Sequence, residues 1–306
     1  MGDNLLYFQI FCVIIIMCNY ENTYGGNMVK LYKPQHLETV KKIALDNAKD
    51  ILLNIEDIIA HNEGRVFVYE LNNEIVAFGF FQPFAYGKRI DVGIVVDKAV
   101  RRQGIGTALW HSISRLAKER YSAESFECRI LADDLAAIYF CGKLGFLPWI
   151  STHTMVYNDE LLPTPATLFE PYEDKYYESY YELLGEAFYE MRKSIGAEPF
   201  KMVPNGNREE MFESETFLAI NSQDKPIAAV TIEMGNHIEN LCVLPEAQDL
   251  GFGRQLAIFA TNRALMSERG FAELEVVSTN ERAIGLYKSL GYKTVRTISV
   301  LKMKNK

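Results

Sequence analysis

Two glycines, Gly104 and Gly251, stand in similar turns 147 residues apart, and two more, Gly145 and Gly291, end similar helix-like segments 146 residues apart. Two landmarks displaced by nearly the same interval mark a tandem duplication. The chain must therefore use one supersecondary plan twice, and its 306 residues suffice for two domains with separate cores. In the second copy the apolar run Leu241-Cys242-Val243-Leu244 leads into Gln248-Asp249-Leu250-Gly251-Phe252-Gly253-Arg254 and then a helical segment. That order reads as strand, glycine turn and helix start. Glycine lets the main chain bend and lets another molecule approach without a Cβ in the way. The helix start adds unpaired N–H groups and partial positive charge, which together suit a pyrophosphate-sized anion.

The first copy reads as a strand at 29–33, helices over 36–47 and 51–61, and strands at 65–71 and 74–81 joined by Asn72-Asn73. A strand at 89–96 follows, then a helix over 107–120 with Leu109, Ile113, Leu116 and Ala117 on one face. A strand at 126–132, a helix over 135–144 capped by Gly145 and a strand at 147–157 complete it. Beyond a proline-bearing link at 161–165, the second copy repeats the order. Its strands fall at 167–171, 215–221, 227–234, 237–244, 272–277 and 294–302, and its helices at 176–189, 255–268 and 283–290. This describes a mixed α/β domain twice, with bounds expected at 28–158 and 167–306 and a linker at 159–166.

The balance of 32 basic to 40 acidic residues argues against broad nucleic-acid or anionic-membrane binding. The five cysteines (Cys12, Cys18, Cys128, Cys141, Cys242) are scattered and form no C-x-x-C pair, so no disulfide framework or metal site is expected, and a reducing, cytoplasmic setting fits. The apolar stretch 5–18 would span roughly 21 Å as a helix, short of the ~30 Å hydrocarbon core. Residues 1–27 are therefore read as an extension outside the fold, with a short membrane anchor as the other reading.

The glycine turns occur as Arg101-Arg102-Gln103-Gly104-Ile105-Gly106, followed by Thr107, and as Gln248-Asp249-Leu250-Gly251-Phe252-Gly253. Downstream of the second, Asn280-Glu281-Arg282-Ala283-Ile284-Gly285-Leu286-Tyr287 closes with Leu290-Gly291-Tyr292. These residues resemble the GNAT superfamily of acyl-CoA-dependent N-acyltransferases, whose motifs are Q/R-x-x-G-x-G/A and N-x-x-A-x-x-L-Y-x-x-x-G-[FY]. The resemblance spans 29–304 and implies two tandem domains, each a mostly antiparallel mixed sheet flanked by helices. It further implies acetyl-CoA as donor, held at both turns (Arg101 to Thr107; Gln248 to Arg254), with its arm in a splay between the strands at 237–244 and 272–277 and along Leu241, Cys242 and Val243. Tyr287 takes the family's position for the acid that meets the leaving thiolate, and Asn280 that of an amide fixing the cofactor arm.

The copies are unequal. Aligned on the closing glycines, Asn280 falls on Asp134 and Tyr287 on Cys141, and Tyr139 points about 200° away from Cys141 on its helix. The reading is a tandem arrangement with an active C-terminal domain and a non-catalytic N-terminal one, in which Asp134 caps a helix and Cys141 packs in a core. For the base, Glu239 and His237 are both candidates, alternating with Leu241 and Val243 on one expected strand face. Between 160 and 215 there are thirteen acidic and five basic residues, many on a tyrosine-rich helix, either a solvated face or an amine-attracting lip. The expected acceptor is a small-molecule or peptide amine, and the oligomer a monomer or homodimer. The alternatives are a non-enzymatic acyl-CoA-binding protein and activity in the N-terminal domain.

Overall fold

The computed structural model describes residues 22–24, 27–48, 55–84, 88–204, 208 and 214–304, so the apolar stretch 5–18 lies outside the described residues. The elements of the first half are β1 (Asn22–Tyr24), β2 (Asn27–Leu31), α1 (Leu37–Asn47), α2 (Ile55–His61), β3 (Val66–Leu71), β4 (Glu74–Phe84), β5 (Arg89–Val96), α3 (Ile105–Tyr121), β6 (Ser125–Leu131), α4 (Leu135–Leu144) and β7 (Leu147–Tyr157). The second half has β8 (Glu170–Pro171), α5 (Tyr177–Ser194), β9 (Glu215–Ile220), β10 (Pro226–Glu233), β11 (His237–Val243), α6 (Phe252–Leu265), β12 (Ala272–Val277), α7 (Glu281–Leu290) and β13 (Lys293–Lys304).

Local chemistry explains the boundaries. Asn72 and Asn73 both take positive φ in the β3–β4 hairpin, a conformation asparagine tolerates well. Helices α4 and α7 start on side-chain caps from Asp134 and Asn280 and stop at the left-handed Gly145 and Gly291. The apolar face of α3 buries Leu109, Ile113, Leu116 and Ala117, as its 3.6-residue spacing requires.

Two compact units result, one running through Pro148 and resuming at Val300, the other Trp149–Ser299. In the N-terminal unit the sheet order is β1-β2-β3-β4-β5-β6, with the end of β13 beside β6. In the C-terminal unit the order is β7-β12-β11-β10-β9-β8. The pairs β5/β6 and β11/β12 are parallel, and the neighbours on either side of β11/β12 are antiparallel. Helices cover both faces. In the N-terminal unit Leu109, Ile113 and Phe126 form one core and Val40, Ile43 and Phe78 the other. In the C-terminal unit α6 and α7 pack Leu256, Ala260 and Tyr287 on one face, while α5 packs Tyr177, Tyr180 and Leu183 on the other.

The closing strands differ from the sequence expectation, which kept 147–157 with the first copy and 294–302 with the second. In the structure β7 pairs with β12, from Tyr157↔Ala272 to Thr152↔Val277. The end of β13 goes the other way, with Leu301 in the core of Leu109 and Phe126 and Lys302 Nζ 3.1 Å from the buried Glu127 carboxylate. Both strands close copies of the same sheet, so alternation along either one fits both edges and the sequence pattern cannot tell them apart.

Leu301 is 1% exposed, so Leu301→Ala should cost about 2–5 kcal/mol in the N-terminal unit despite its place near the chain end. Denaturation followed by Trp110 fluorescence in a Trp149→Phe background checks this. An unshifted Trp110 transition would contradict the exchange.

Candidate active site

The glycine turn of the C-terminal unit begins where β11 ends. Asp249 and Gly251 take φ of +63° and +88°, and Gly251 is the N-cap of α6. A Cβ on Gly251 would meet nothing within 4 Å, so the left-handed dihedral rather than crowding demands glycine. No side chain caps α6, and its first i→i−4 bond is Gln255 N–H to Gly251 O. The N–H groups of Phe252, Gly253 and Arg254 therefore have no intrahelical partner, and with the helix dipole behind them they suit an anion. The Arg282 guanidinium braces the turn, donating to Gln248 Oε1 and Asp249 Oδ1 at 2.7 Å each, and Gln248 Nε2 donates to Val243 O. Arg254 donates to Ser289 Oγ on α7 at 2.7 Å. The N-terminal turn repeats the geometry, with Arg102 and Gly104 at φ +68° and +83°, α3 uncapped, and Arg101 Nε donating to Val96 O.

Beyond each turn the two parallel strands part. Pairing of β11 with β12 is confined to His237↔Glu273 and Ile238↔Leu274 although both strands continue, and β5 with β6 stops at Asp91↔Glu127. In the C-terminal unit a bulge accompanies the divergence. Asn240 takes φ +47°, and the β10–β11 register slips between Thr231↔Glu239 and Ala229↔Cys242, which leaves one extra residue in β11. The slip corrects the expectation that His237, Glu239, Leu241 and Val243 share a face. Ile238, Leu241 and Val243 all pack on the α6/α7 core, whereas Cys242 packs with the α5 tyrosines. His237 and Glu239, flanking Ile238, therefore share the α5 face with Cys242.

These two residues form a chain with a third that sequence reasoning missed. His237 Nε2 lies 3.1 Å from Glu239 Oε1, and His237 Nδ1 lies 3.5 Å from Glu273 Oε1 on β12. The Glu239 side chain is 8% exposed, and its Oε2 is buried without a hydrogen-bond partner. Burial, and secondarily the Glu275 charge, pushes Glu239 up to about 9. The hydrogen bond from His237 holds Glu273 below the ordinary carboxylate value. Strand pairing alone would have exposed Glu273, since it lies opposite His237 in the parallel register.

On α7, Tyr287 is buried beside Tyr292, ring centroids 5.5 Å apart, and burial with some help from Cys242 raises its phenol above the usual value. Tyr287 thus comes near Cys242 in the region where β11 and β12 diverge. Asn280 caps α7, its Oδ1 accepting from Ala283 N–H at 3.2 Å. Asp134 does the same for α4 at 2.9 Å, so the exchange of Asn for Asp preserves the cap.

The comparable place in the N-terminal unit is built otherwise. With the 146-residue shift of Gly145 and Gly291, the pair Asp91↔Glu127 falls on His237↔Glu273, and Gly93 falls on Glu239. A Cβ on Gly93 would sit 2.3 Å from Phe80 Cε1, so the Phe80 ring occupies the space a carboxylate would need. Strand β5 keeps unbroken register with β4 from Ala77↔Val96 to Phe84↔Arg89, without a bulge. Arg129 approaches Asp91 at 3.6 Å, and Arg89 and Lys302 approach Glu127. Cys141 is buried at the Tyr287 position, while Tyr139 is 55% exposed and stacks against Lys143. On α5 and just before it the tyrosines are core, with Tyr176, Tyr177, Tyr180 and Tyr181 all buried, while Glu178, Glu182, Glu186 and Glu190 form a solvated face.

The acetyltransferase (GNAT) family profile matches this sequence twice, over residues 27–146 and 173–292. The chain belongs to the GNAT family. Both ends of the match are displaced by the interval separating Gly145 from Gly291, so the GNAT fold is present in tandem. A GCN5-related N-acetyltransferase from Sphaerobacter thermophilus has a similar structure, with TM-score 0.70 and 16% identity over 92% of this chain and 97% of that one. A tandem GNAT protein from the clavulanic acid biosynthesis pathway matches at TM-score 0.57 and 16% identity, over 78% and 82% of the two chains. No curated protein matches the sequence. GNAT enzymes use acetyl-CoA as donor, and among the described residues no group of three or more His, Cys, Asp or Glu is placed to hold a metal ion. No helix among the described residues is long and apolar enough to cross a membrane.

Because Asn280 caps α7 through its oxygen, Asn280→Asp should leave the denaturation midpoint nearly unchanged, whereas Asn280→Ala should cost about 1 kcal/mol. Equal losses in both variants would show that the amide nitrogen, not the cap, carries the stability.

Proposed function

We propose that this GNAT protein transfers an acetyl group from acetyl-CoA to a primary amine by direct attack in a ternary complex at the C-terminal unit. The observation that carries the proposal is the opening where β11 and β12 part, with the uncapped α6 at its end, the Asn240 bulge at its edge and Tyr287 buried on α7. The buried, unpartnered Glu239 Oε2 on β11 fits an incoming ammonium donor. In the N-terminal unit Phe80, Gly93 and Cys141 leave neither a carboxylate nor a phenol at the matching positions, which supports a non-catalytic role there.

The N–H groups at the start of α6, with Arg254 and Arg282 nearby, bind phosphate; the corresponding N-terminal turn from Arg101 to Thr107 does the same without chemistry. Bound acetyl-CoA supplies the activated acyl carbon and a thiol leaving group. Main-chain N–H groups of Leu241 and Val243, on the edge of β11 away from β10, orient the donor and offset charge developing on its carbonyl oxygen. Ionised Glu239, whose Oε1 lies beside His237 Nε2, takes a proton at Oε2 from the nitrogen of the attacking amine. The Tyr287 phenol, kept neutral by burial, donates its proton to the departing sulfur. The acceptor is a small-molecule or peptide amine.

Thiol release on an amine panel tests the assignment. Tyr287→Phe should lower kcat by about 10²–10⁴-fold with little change in KM, while Cys141→Ala should match wild type. The reverse pattern would move the chemistry to the N-terminal unit, and acetyl-CoA binding without turnover on any amine would favour a binding protein.

The pH profile provides a second check. Glu239 accepts a proton only when ionised, and its raised value keeps it protonated until about 9. With an acceptor whose amine titrates below about 8, kcat/KM should rise with pH through about 9, and Glu239→Gln should flatten that limb. A wild-type profile already level between neutrality and pH 10 would assign the base to another group.

A further inference from the structure

We propose that Cys128 and Cys141 are a reversible dithiol–disulfide site in the N-terminal unit, oxidised by exchange with a low-molecular-weight disulfide. Their sulfurs lie 3.6 Å apart, one on β6 and the other on α4, facing each other across the strand–helix packing. Bond formation at ~2.05 Å therefore asks only for a small approach of two side chains already in contact. The twin positions under the 146-residue shift are Leu274 and Tyr287, both buried, so two facing thiols are not what this packing layer requires. Cys128 is partly exposed, which gives a small disulfide access, whereas Cys242 in the other unit is buried. The Cys128 thiol donates its hydrogen bond to Cys141 Sγ and thereby lowers the Cys141 thiol from its ordinary value, which favours a thiolate there.

The exchange balances in two steps. A thiolate of the pair attacks the small disulfide, forming a mixed disulfide and expelling one small thiolate. The other cysteine loses its proton to solvent, and its thiolate attacks the protein sulfur of the mixed disulfide, releasing the second small thiol. The pair loses two protons and two electrons, and one small disulfide becomes two thiols. The product closes a short loop spanning the end of β6, the turn at Asp134 and most of α4, fastening helix to strand.

The test uses the full-length reduced protein incubated with glutathione disulfide, quenched by acid and digested without reductant. The expected result is a peptide joining Cys128 to Cys141, lost on dithiothreitol treatment, with a rise in the Tm of the N-terminal transition of roughly 5–10 °C. Cys128→Ser and Cys141→Ser should each stop at a glutathione adduct on the remaining cysteine or at the free thiol. Absence of the joined peptide in the wild type, with both cysteines free or carrying only glutathione, would overturn the proposal, as would Cys242 reacting as readily as the pair.

Discussion

One extra residue in β11 governs the C-terminal unit. A strand paired on both sides has no room between itself and its neighbour, and every N–H and C=O is committed to the sheet. The Asn240 bulge re-aims the second half of β11, so that Leu241 and Val243 join the face already occupied by Ile238. Beyond Ile238↔Leu274 the parallel partner β12 falls away. Main chain that would otherwise be spent on pairing then borders an opening, and Cys242 is turned toward the α5 tyrosines with Tyr287 close by. The glycine turn, the α6 N-terminus and the Glu239–His237–Glu273 chain are all arranged around that divergence.

The N-terminal unit shows what the same plan becomes without the bulge. Its strands also part after Asp91↔Glu127, and its turn keeps the left-handed Gly104 and the uncapped helix. Yet the register of β5 is continuous, Phe80 covers Gly93, and the linked histidine and carboxylates are replaced by ion pairs among Arg89, Asp91, Glu127, Arg129 and Lys302. Such a network, once buried, is costly to break, and it leaves Asp91 Oδ1 without a hydrogen-bond partner. Duplication thus preserved the glycine turn and the uncapped helix in both units and varied the residues beside them.

Much of this was legible in the chain itself, because the signals were local. Glycines at φ near +85° cannot be replaced without strain, so Gly104 and Gly251 announce their turns. The caps at Asp134 and Asn280 and the apolar stripe of α3 follow from spacing alone. What could not be read depended on partners distant in sequence. Asn240 is a residue type that tolerates the left-handed region, but a single asparagine in a strand is too common to mark a bulge. Glu273 becomes interesting only once it lies opposite His237, and Gly93 only once Phe80 is seen against it. Composition does not report which way a helix faces, so the tyrosine-rich α5 left a solvated face and an amine-attracting lip both open. The closing strands β7 and β13 were assigned to the wrong units by adjacency, since near-equivalent copies offer equivalent edges.

The central claim is that two similar turns bind phosphate but only the C-terminal one serves the reaction. Gly104 and Gly251 share nearly the same strained φ and open surroundings, so replacing either with glutamate imposes a matched perturbation. The most direct measurement is acetyl transfer to an amine by Gly251→Glu and Gly104→Glu side by side, at saturating acetyl-CoA for the wild type. Loss of turnover in Gly251→Glu with near wild-type turnover in Gly104→Glu is the predicted result; loss confined to Gly104→Glu would contradict it.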